Sequence, residues 1–135
     1  METIMINEDI QGVCIPAKSF PEGIQEAHDR LHTLIPFSEE RRYFGLSRPE
    51  RGVIVYKAAA EVLENETYNG PSCIIEKGEY RCITLLNYKN DLQRISQAFE
   101  TLLSFPDIAP DGYCVEWYHH GEDMTCMVRL RTKEQ

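Results

Sequence analysis

The segment GYCVEWYHHGED, residues 112–123, places a carboxylate among aromatic and apolar side chains. Its alternation with period two is typical of a β-strand and puts Glu116 on one face with Cys114 and Tyr118. A carboxylate that is buried without a partner is unfavourable, so it takes up a proton or pairs with a cation. In a pocket, such a group would bind a positive charge or act as a general acid or base. We therefore predict that Glu116 lines a ligand pocket; the alternative is an ordinary solvent-facing strand residue.

Aromatic side chains in the other predicted strands would complete such a pocket. A ring offers its face to a cation, and a tyrosine adds a hydroxyl for a polar ligand group. The alternative is that these rings fill a core, since aromatic residues favour strands. For Trp117, which lies on the opposite face from Glu116 if the strand is regular, core packing is slightly favoured. The predicted ligand-contacting residues are Glu116, Tyr80, Tyr118, Trp117, Tyr56 and Phe44.

Two groups of histidines raise the question of a metal site. His119 and His120 precede Glu122 and Asp123, but neighbouring residues of a strand or turn point apart, so this cluster is poorly arranged for one ion. We predict an exposed hairpin tip there. His28 and His32 have zinc-compatible spacing on a helix, but no third ligand is evident, so we interpret the pair as a helix-surface feature. We expect no metal and no cofactor.

Composition and charge exclude other classes of protein. The net charge of −8, from 14 basic and 22 acidic residues, argues against direct binding of nucleic acid. No apolar run approaches the roughly 20 residues that span a bilayer, and the acidic N-terminus is unlike a signal peptide. The five cysteines have no CxxC spacing, and we predict that all are reduced and metal-free, as in the cytoplasm. No nucleophile-elbow, P-loop or dinucleotide-binding motif is present.

The elements that must position Glu116 divide into two halves of the same predicted order. The first half is predicted as strand 12–20, a helix over 21–35 capped by Ser19 and Glu22, and a hairpin of strands 42–47 and 53–62. The second half is predicted as strand 72–86, bulged at Gly78, helix 91–104, and a closing hairpin around 119–123.

The two predicted helices align without a gap. HTLIPF, residues 32–37, matches ETLLSF, residues 100–105, at an offset of 100 − 32 = 68. The hairpins align after a two-residue insertion, with Tyr43 matching Tyr113. We therefore predict one α+β domain over 1–135, built from duplicated β-α-β-β units at about 10–63 and 71–133. The prediction is an antiparallel sheet with both helices on one side and a groove between the units, where a small molecule would bind.

This order resembles the GyrI-like family, the gyrase-inhibitory-protein-like or AraC-type effector-binding domains of bacteria. The resemblance rests on EKGEYRCITL, residues 76–85, which opens the second unit, and on VEWY, residues 115–118, which is similar to the family's Glu-x-Tyr near the C-terminus. It implies a stand-alone small-molecule-binding domain in which Glu116 faces cationic aromatic ligands.

The resemblance implies roles in effector sensing, transcription regulation, or sequestration of drugs and toxins. An alternative is a hydrolase that opens strained rings of toxic electrophiles, with Glu116 activating water and Tyr80 or Tyr118 holding the departing oxygen; we favour binding without catalysis. A further alternative is inhibition of a DNA-handling enzyme such as gyrase. A protein partner and a homodimer both stay open.

Overall fold

The structure, a computed structural model, describes residues 1–132 and contains an antiparallel eight-stranded sheet with two α-helices, which confirms the α+β class. Residue 133, the predicted end of the second unit, lies outside the described residues. The strands are β1 Glu2–Ile6, β2 Ile10–Pro16, β3 Tyr43–Glu50, β4 Val53–Glu61, β5 Ser72–Ile75, β6 Gly78–Leu85, β7 Cys114–Tyr118 and β8 Met124–Arg129. The helices are α1 Ile24–Leu34 and α2 Gln93–Leu103, and a short 3-10 turn covers Tyr88–Asn90.

The sheet is strongly curled. Its strand order is β1-β6-β8-β7-β3-β4-β2-β5, so β5 and β6 lie near opposite ends although only Glu76 and Lys77 separate them in the chain. The short link from β1 to β2 makes the same crossing, and the Lys77 backbone N–H donates a 2.8 Å hydrogen bond to the Asp9 carboxylate of that link. Links this short require the two ends of the sheet to approach each other.

One apolar cluster fills the inside of this curl. Every strand contributes to it, and it includes the rings of Phe44 and Tyr80, with Trp117 packed against it. The helices cover separate clusters: α1 packs on β2 and β4, and α2 packs on β6 and β8. The two central strands, β3 and β7, pair with each other between these two helix-covered regions.

Several predicted boundaries were wrong. The predicted strand 72–86 is two strands, because Gly78 adopts a φ of 141° and β6 leaves the direction of β5 to pair with β1 and β8. The N-terminal strand β1 was missed. Helix α1 begins three residues later than predicted, after Gly23, without a side-chain capping bond. Strand β3 runs on through Pro49, which is tolerated because pairing with β7 ends at Ser47.

The alignment of the two hairpins was also wrong. Tyr43 packs in the cluster covered by α1, whereas Tyr113 packs against the cluster inside the curl. Since side chains of a strand alternate between faces, a match of Tyr43 with Tyr113 would exchange the two faces of the sheet. If the alignment of the two hairpins is shifted by one residue, matched residues lie on the same face of the sheet. Gly45 then matches Glu116, and these two residues are direct partners across β3 and β7.

A buried ion pair stabilises the chain where β3 begins. Arg41 is 4% exposed, and it donates hydrogen bonds of 2.6 and 3.0 Å to the Glu66 carboxylate and one of 2.8 Å to the backbone carbonyl of Glu61. The guanidinium of Arg41 lowers the pKa of Glu66 from 4.5 to about 2. The pair therefore contributes stability above pH 4.5, and this contribution is lost as the pH falls towards 2.

Glu66→Gln is expected to destabilise the protein at pH 7, because it leaves the buried Arg41 charge without its carboxylate. Urea unfolding at pH 7 and at about pH 2 should show a difference from wild type that shrinks at the lower pH. The control is Glu64→Gln, an exposed residue of the same loop. Equal stabilities for the two variants at pH 7 would contradict the role of the pair.

The prediction of five reduced cysteines stays a prediction, and one pair is its sharpest test. The Cys14 and Cys73 thiols are hydrogen-bonded neighbours inside the curl, and this contact lowers the pKa of Cys14 to about 7. We expect mass spectrometry without reductant to find five free thiols. An intramolecular Cys14–Cys73 disulfide, or one equivalent of bound zinc, would show that the prediction is wrong.

Candidate functional site

Glu116 lies near the middle of the sheet, between the regions that the two helices cover. Its register partners are Gly45 on β3 and Cys126 on β8. Cys126 belongs to the cluster covered by α2, and Tyr118, on the same face of β7 as Glu116, packs against the clusters of both helices. Glu116 is half-buried, so its side chain keeps some contact with solvent.

A chain of hydrogen bonds runs from Glu116 to helix α1. The Tyr118 hydroxyl donates to the Glu116 carboxylate at 2.5 Å, and the hydroxyls of Tyr118 and Tyr56 are 2.8 Å apart. The Tyr56 hydroxyl is 2.8 Å from Nε2 of His28. With Tyr118 donating to Glu116, Tyr56 donates to Tyr118 and the His28 ring donates to Tyr56. The sequence positions of these groups span residues 28 to 118, so only the fold brings them together.

The missing side chain of Gly45 makes room for this chain. A Cβ at this position would overlap the Tyr56 hydroxyl and lie 2.9 Å from the Tyr118 hydroxyl. The φ of Gly45 is not in the left-handed region, so the requirement for glycine is steric rather than conformational. The two hydroxyls therefore meet above β3 at the position directly opposite Glu116.

The surroundings disfavour a charge on the Glu116 carboxyl. Burial raises the pKa of Glu116, and the hydrogen bond from Tyr118 offsets only part of this rise. Burial also raises the pKa of Cys114 to about 11 and that of Cys126 to about 12, with the Glu116 charge as a smaller cause. Within residues 1–132, no lysine, arginine or histidine forms an ion pair with Glu116. The site thus presents a carboxyl group with a hydrogen-bond donor but without a cation.

His28 is a site residue that the sequence interpretation missed. It is half-buried, and burial lowers its pKa to about 4, so the ring is neutral at pH 7. Its ring packs edge-on against Tyr118, with centroids 5.3 Å apart. The interpretation of His28 as a helix-surface residue was therefore wrong. Its position three residues before Leu31, and four after Ile24, places it on the apolar stripe of α1, which was the available signal.

The structure brings together only some of the predicted ligand-contacting residues. Glu116, Tyr118 and Tyr56 form one site, and Tyr88 joins them with its ring centroid 6.1 Å from that of Tyr118. Tyr80 does not belong to this site. Its hydroxyl donates to the backbone carbonyl of Glu76, and burial raises its pKa to about 12.

Phe44 and Trp117 also lie away from the site. Their rings are 6.0 Å apart and pack with the cluster inside the curl, on the opposite side of the sheet from Glu116. The strand period gave the correct face for Trp117. Placing Tyr80 and Phe44 beside Glu116 was wrong, because each projects from the other face of its strand. Trp117 was included among the ligand-contacting residues although core packing was favoured for it, and it packs against the core cluster.

The histidines of the last hairpin take separate roles. His119 is half-buried and hydrogen-bonds the Thr125 hydroxyl at 2.7 Å, whereas His120 is exposed and donates to the Glu39 carbonyl at 2.7 Å. His120 is thus at the exposed hairpin tip that was predicted. The His119 ring packs against the Trp117 ring, with their centroids 4.8 Å apart. In residues 1–132, no three side chains of the His, Cys, Asp and Glu types converge as metal ligands.

Two surface depressions lie away from Glu116. The first is lined by Arg48, Tyr113 and Arg129 above a floor that includes Tyr80 and Val115. The second adjoins it around Phe105 and Ile108. Neither depression is lined by Glu116. Neither helix in residues 1–132 has the length and apolar character to cross a bilayer.

The fold has a counterpart among solved structures. The chain is similar to the crystal structure of an integron cassette protein from the mobile metagenome of Vibrio cholerae, with a TM-score of 0.69 over 96% of this chain and 95% of that chain. The sequence identity is 10%, so this similarity shows the fold alone. Neither a protein-family model nor a curated protein matches the sequence.

Proposed function

We propose that the protein binds a hydrophobic, cationic aromatic molecule at Glu116, as an effector-binding domain of the GyrI-like type. The observation that carries this proposal is a half-buried carboxyl that has a hydrogen-bond donor and no cation in residues 1–132. A ligand cation would supply the missing charge. The sensing or sequestering role, and a location in the cytoplasm where the thiols stay reduced, belong to the same proposal.

The strand order supports a frame of two repeated units, each with the order β-β-α-β-β, which is one strand longer than the predicted β-α-β-β unit. When each strand of β1–β4 is replaced by its counterpart in β5–β8, and the reverse, the resulting strand order is the observed order read from the opposite end of the sheet. In the proposed arrangement both helices lie on one side of the sheet, because Tyr118 packs against side chains of both helix clusters. The groove between the units then runs over β3 and β7, with the pair Gly45 and Glu116 at its centre.

The walls of the proposed groove suit an aromatic cation. The Tyr118 hydroxyl contacts the carboxyl, and Tyr56 and Tyr88 both contact Tyr118. Aromatic faces attract a cation that has lost part of its water. The neutral His28 adds no positive charge that would repel the ligand. The acidic net charge of −8 would also attract cations from solution.

A matched pair of ligands tests the proposal. N-methylquinolinium carries a permanent positive charge, and 1-methylnaphthalene is its neutral isostere. We expect calorimetric titration to show binding of the cation in preference to the neutral compound. The single tryptophan, Trp117, is a poor reporter because it faces the inside of the curl. Equal affinities, or no binding of the cation, would contradict the proposal.

A second candidate function is hydrolysis of a reactive small molecule, and one observation favours it. The Tyr118 hydroxyl is hydrogen-bonded to Glu116, so a donor for a departing oxygen lies beside a carboxylate that would activate water. Product formation from a strained-ring electrophile by wild type, with losses in both Glu116→Gln and Tyr118→Phe, would support catalysis. Turnover that survives in Glu116→Gln would exclude the proposed mechanism.

A further inference from the structure

We propose that the site exchanges a proton for its cation, and that this proton passes between Glu116 and His28 through the two tyrosine hydroxyls that separate them. The inference rests on the binding function proposed above. It adds a second ligand, the proton, and gives a role to a histidine on α1 that does not contact the carboxyl. The geometry that points to it is three consecutive hydrogen bonds of 2.5, 2.8 and 2.8 Å.

The proposed transfer conserves every proton. While Glu116 is protonated, the three hydrogen bonds run from the carboxyl towards Nε2 of His28, the reverse of their direction when Glu116 is a carboxylate. When the cation arrives, the Glu116 carboxyl gives its proton to the Tyr118 oxygen, and the Tyr118 proton passes to the Tyr56 oxygen. The Tyr56 proton passes to Nε2 of His28, and His28 then releases the proton of Nδ1 to water. The products are a carboxylate paired with the cation, two neutral tyrosines and a neutral imidazole. Departure of the cation reverses each step.

His28 suits the outer end of this relay. Its Nε2 faces Tyr56, and within residues 1–132 no hydrogen bond occupies its Nδ1. The residue is half-buried, so part of its surface is exposed to solvent. Because burial lowers its pKa to about 4, His28 passes a proton on at neutral pH and does not retain it.

Other titratable groups face the chain from each neighbouring element. His32 and Asp29 act on His28 from α1, with opposite effects on its pKa. Around the carboxyl, burial raises the pKa of each thiol and hydroxyl, so these groups stay protonated at neutral pH; they are Cys114, Tyr118, Cys126, Tyr56 and Tyr88. β3 contributes only Gly45 at this point. Burial also raises the pKa of Glu116, and Glu116 is the group of this cluster whose protonation the cation changes.

The equilibrium part of the proposal predicts a pH-dependent affinity. The full-length protein is titrated with N-methylquinolinium, which has no proton of its own, between pH 4.5 and 8. At pH values below the folded-state pKa of Glu116, the affinity should rise about tenfold for each unit by which the pH is increased, and up to one proton should be released per bound cation. Above that pKa both effects should vanish. Binding that is independent of pH, with no proton release, would overturn the exchange and leave the binding function standing.

The rate of proton release tests the relay. In stopped-flow mixing with a pH indicator at low buffer concentration, His28→Gln should slow proton release at least about tenfold while leaving the number of released protons unchanged, since glutamine cannot relay a proton. The matched control is His120→Gln, an exposed histidine of the last hairpin, which should release protons at the wild-type rate.

Tyr56→Phe removes the middle hydroxyl and gives an independent test. It should slow proton release as His28→Gln does, and circular dichroism verifies that each variant is folded. Wild-type release rates in both variants would overturn the relay. Failure of the cation to bind wild type at any pH would instead overturn the proposed function and the exchange together.

Discussion

Glu116→Gln is expected to weaken binding of N-methylquinolinium by about 1–3 kcal/mol, the range for the loss of a charged hydrogen bond. Glutamine keeps the shape of the side chain, and its carbonyl oxygen still accepts the hydrogen bond from Tyr118. Binding of 1-methylnaphthalene should change much less, because the neutral ligand gains nothing from the charge. Calorimetric titration of both ligands measures the difference. Equal losses for the two ligands would show that Glu116 has a structural role only.

The same variant should be at least as stable as wild type. A carboxyl whose pKa is raised on folding contributes its full stability below its unfolded pKa, and this contribution is lost as the pH rises through the folded pKa. The advantage of Glu116→Gln should therefore grow from pH 4 to pH 8 in urea unfolding. The control is Glu122→Gln, an exposed residue of the last turn, which should alter neither affinity nor stability.

Gly45→Ala is expected to destabilise the protein. The new Cβ would overlap the Tyr56 hydroxyl, and overpacking of this kind costs about 1–3 kcal/mol. The hydroxyls of Tyr56 and Tyr118 would have to separate, so cation affinity should fall as well. Urea unfolding and calorimetric titration measure the two effects.

Gly112→Ala is the matched control for this substitution. Its Cβ would lie 3.6 Å from the carbonyl oxygen of Ala109, an ordinary contact, and its φ is not left-handed. Gly112→Ala should therefore change the free energy of unfolding by a few tenths of a kcal/mol at most. Wild-type stability and affinity in Gly45→Ala would mean that the two tyrosine hydroxyls do not require the space above β3.

The sequence patterns predicted the local elements better than their pairing. Both helices were predicted from apolar residues at steps of three and four, and β7 was predicted from strict alternation. The split of residues 72–86 into two strands was missed, because only the strand order shows that β5 and β6 belong to different parts of the sheet. The strand β1 was missed as well, because its pairing with β6 is a long-range contact that no local pattern reveals.

The candidate site was predicted only in part, because its residues come together through long-range contacts. The period of β7 placed Glu116 and Tyr118 on one face, and both lie in the site. Tyr80 was placed there from the resemblance, but the register of β6 turns it towards the inside of the curl. His28 comes from a helix far away in sequence, and its contact with Tyr56 depends on how α1 packs against β4. Such convergence is a property of tertiary structure.

The most direct test of the central claim is a crystal structure of the protein with N-methylquinolinium. We predict that the ring lies over β3 and β7, with its charged nitrogen next to the Glu116 carboxylate and its faces against Tyr118 and Tyr88. A ligand bound instead in the depression between Arg48 and Arg129, with Glu116 bonded only to Tyr118, would contradict the claim that Glu116 is the binding group.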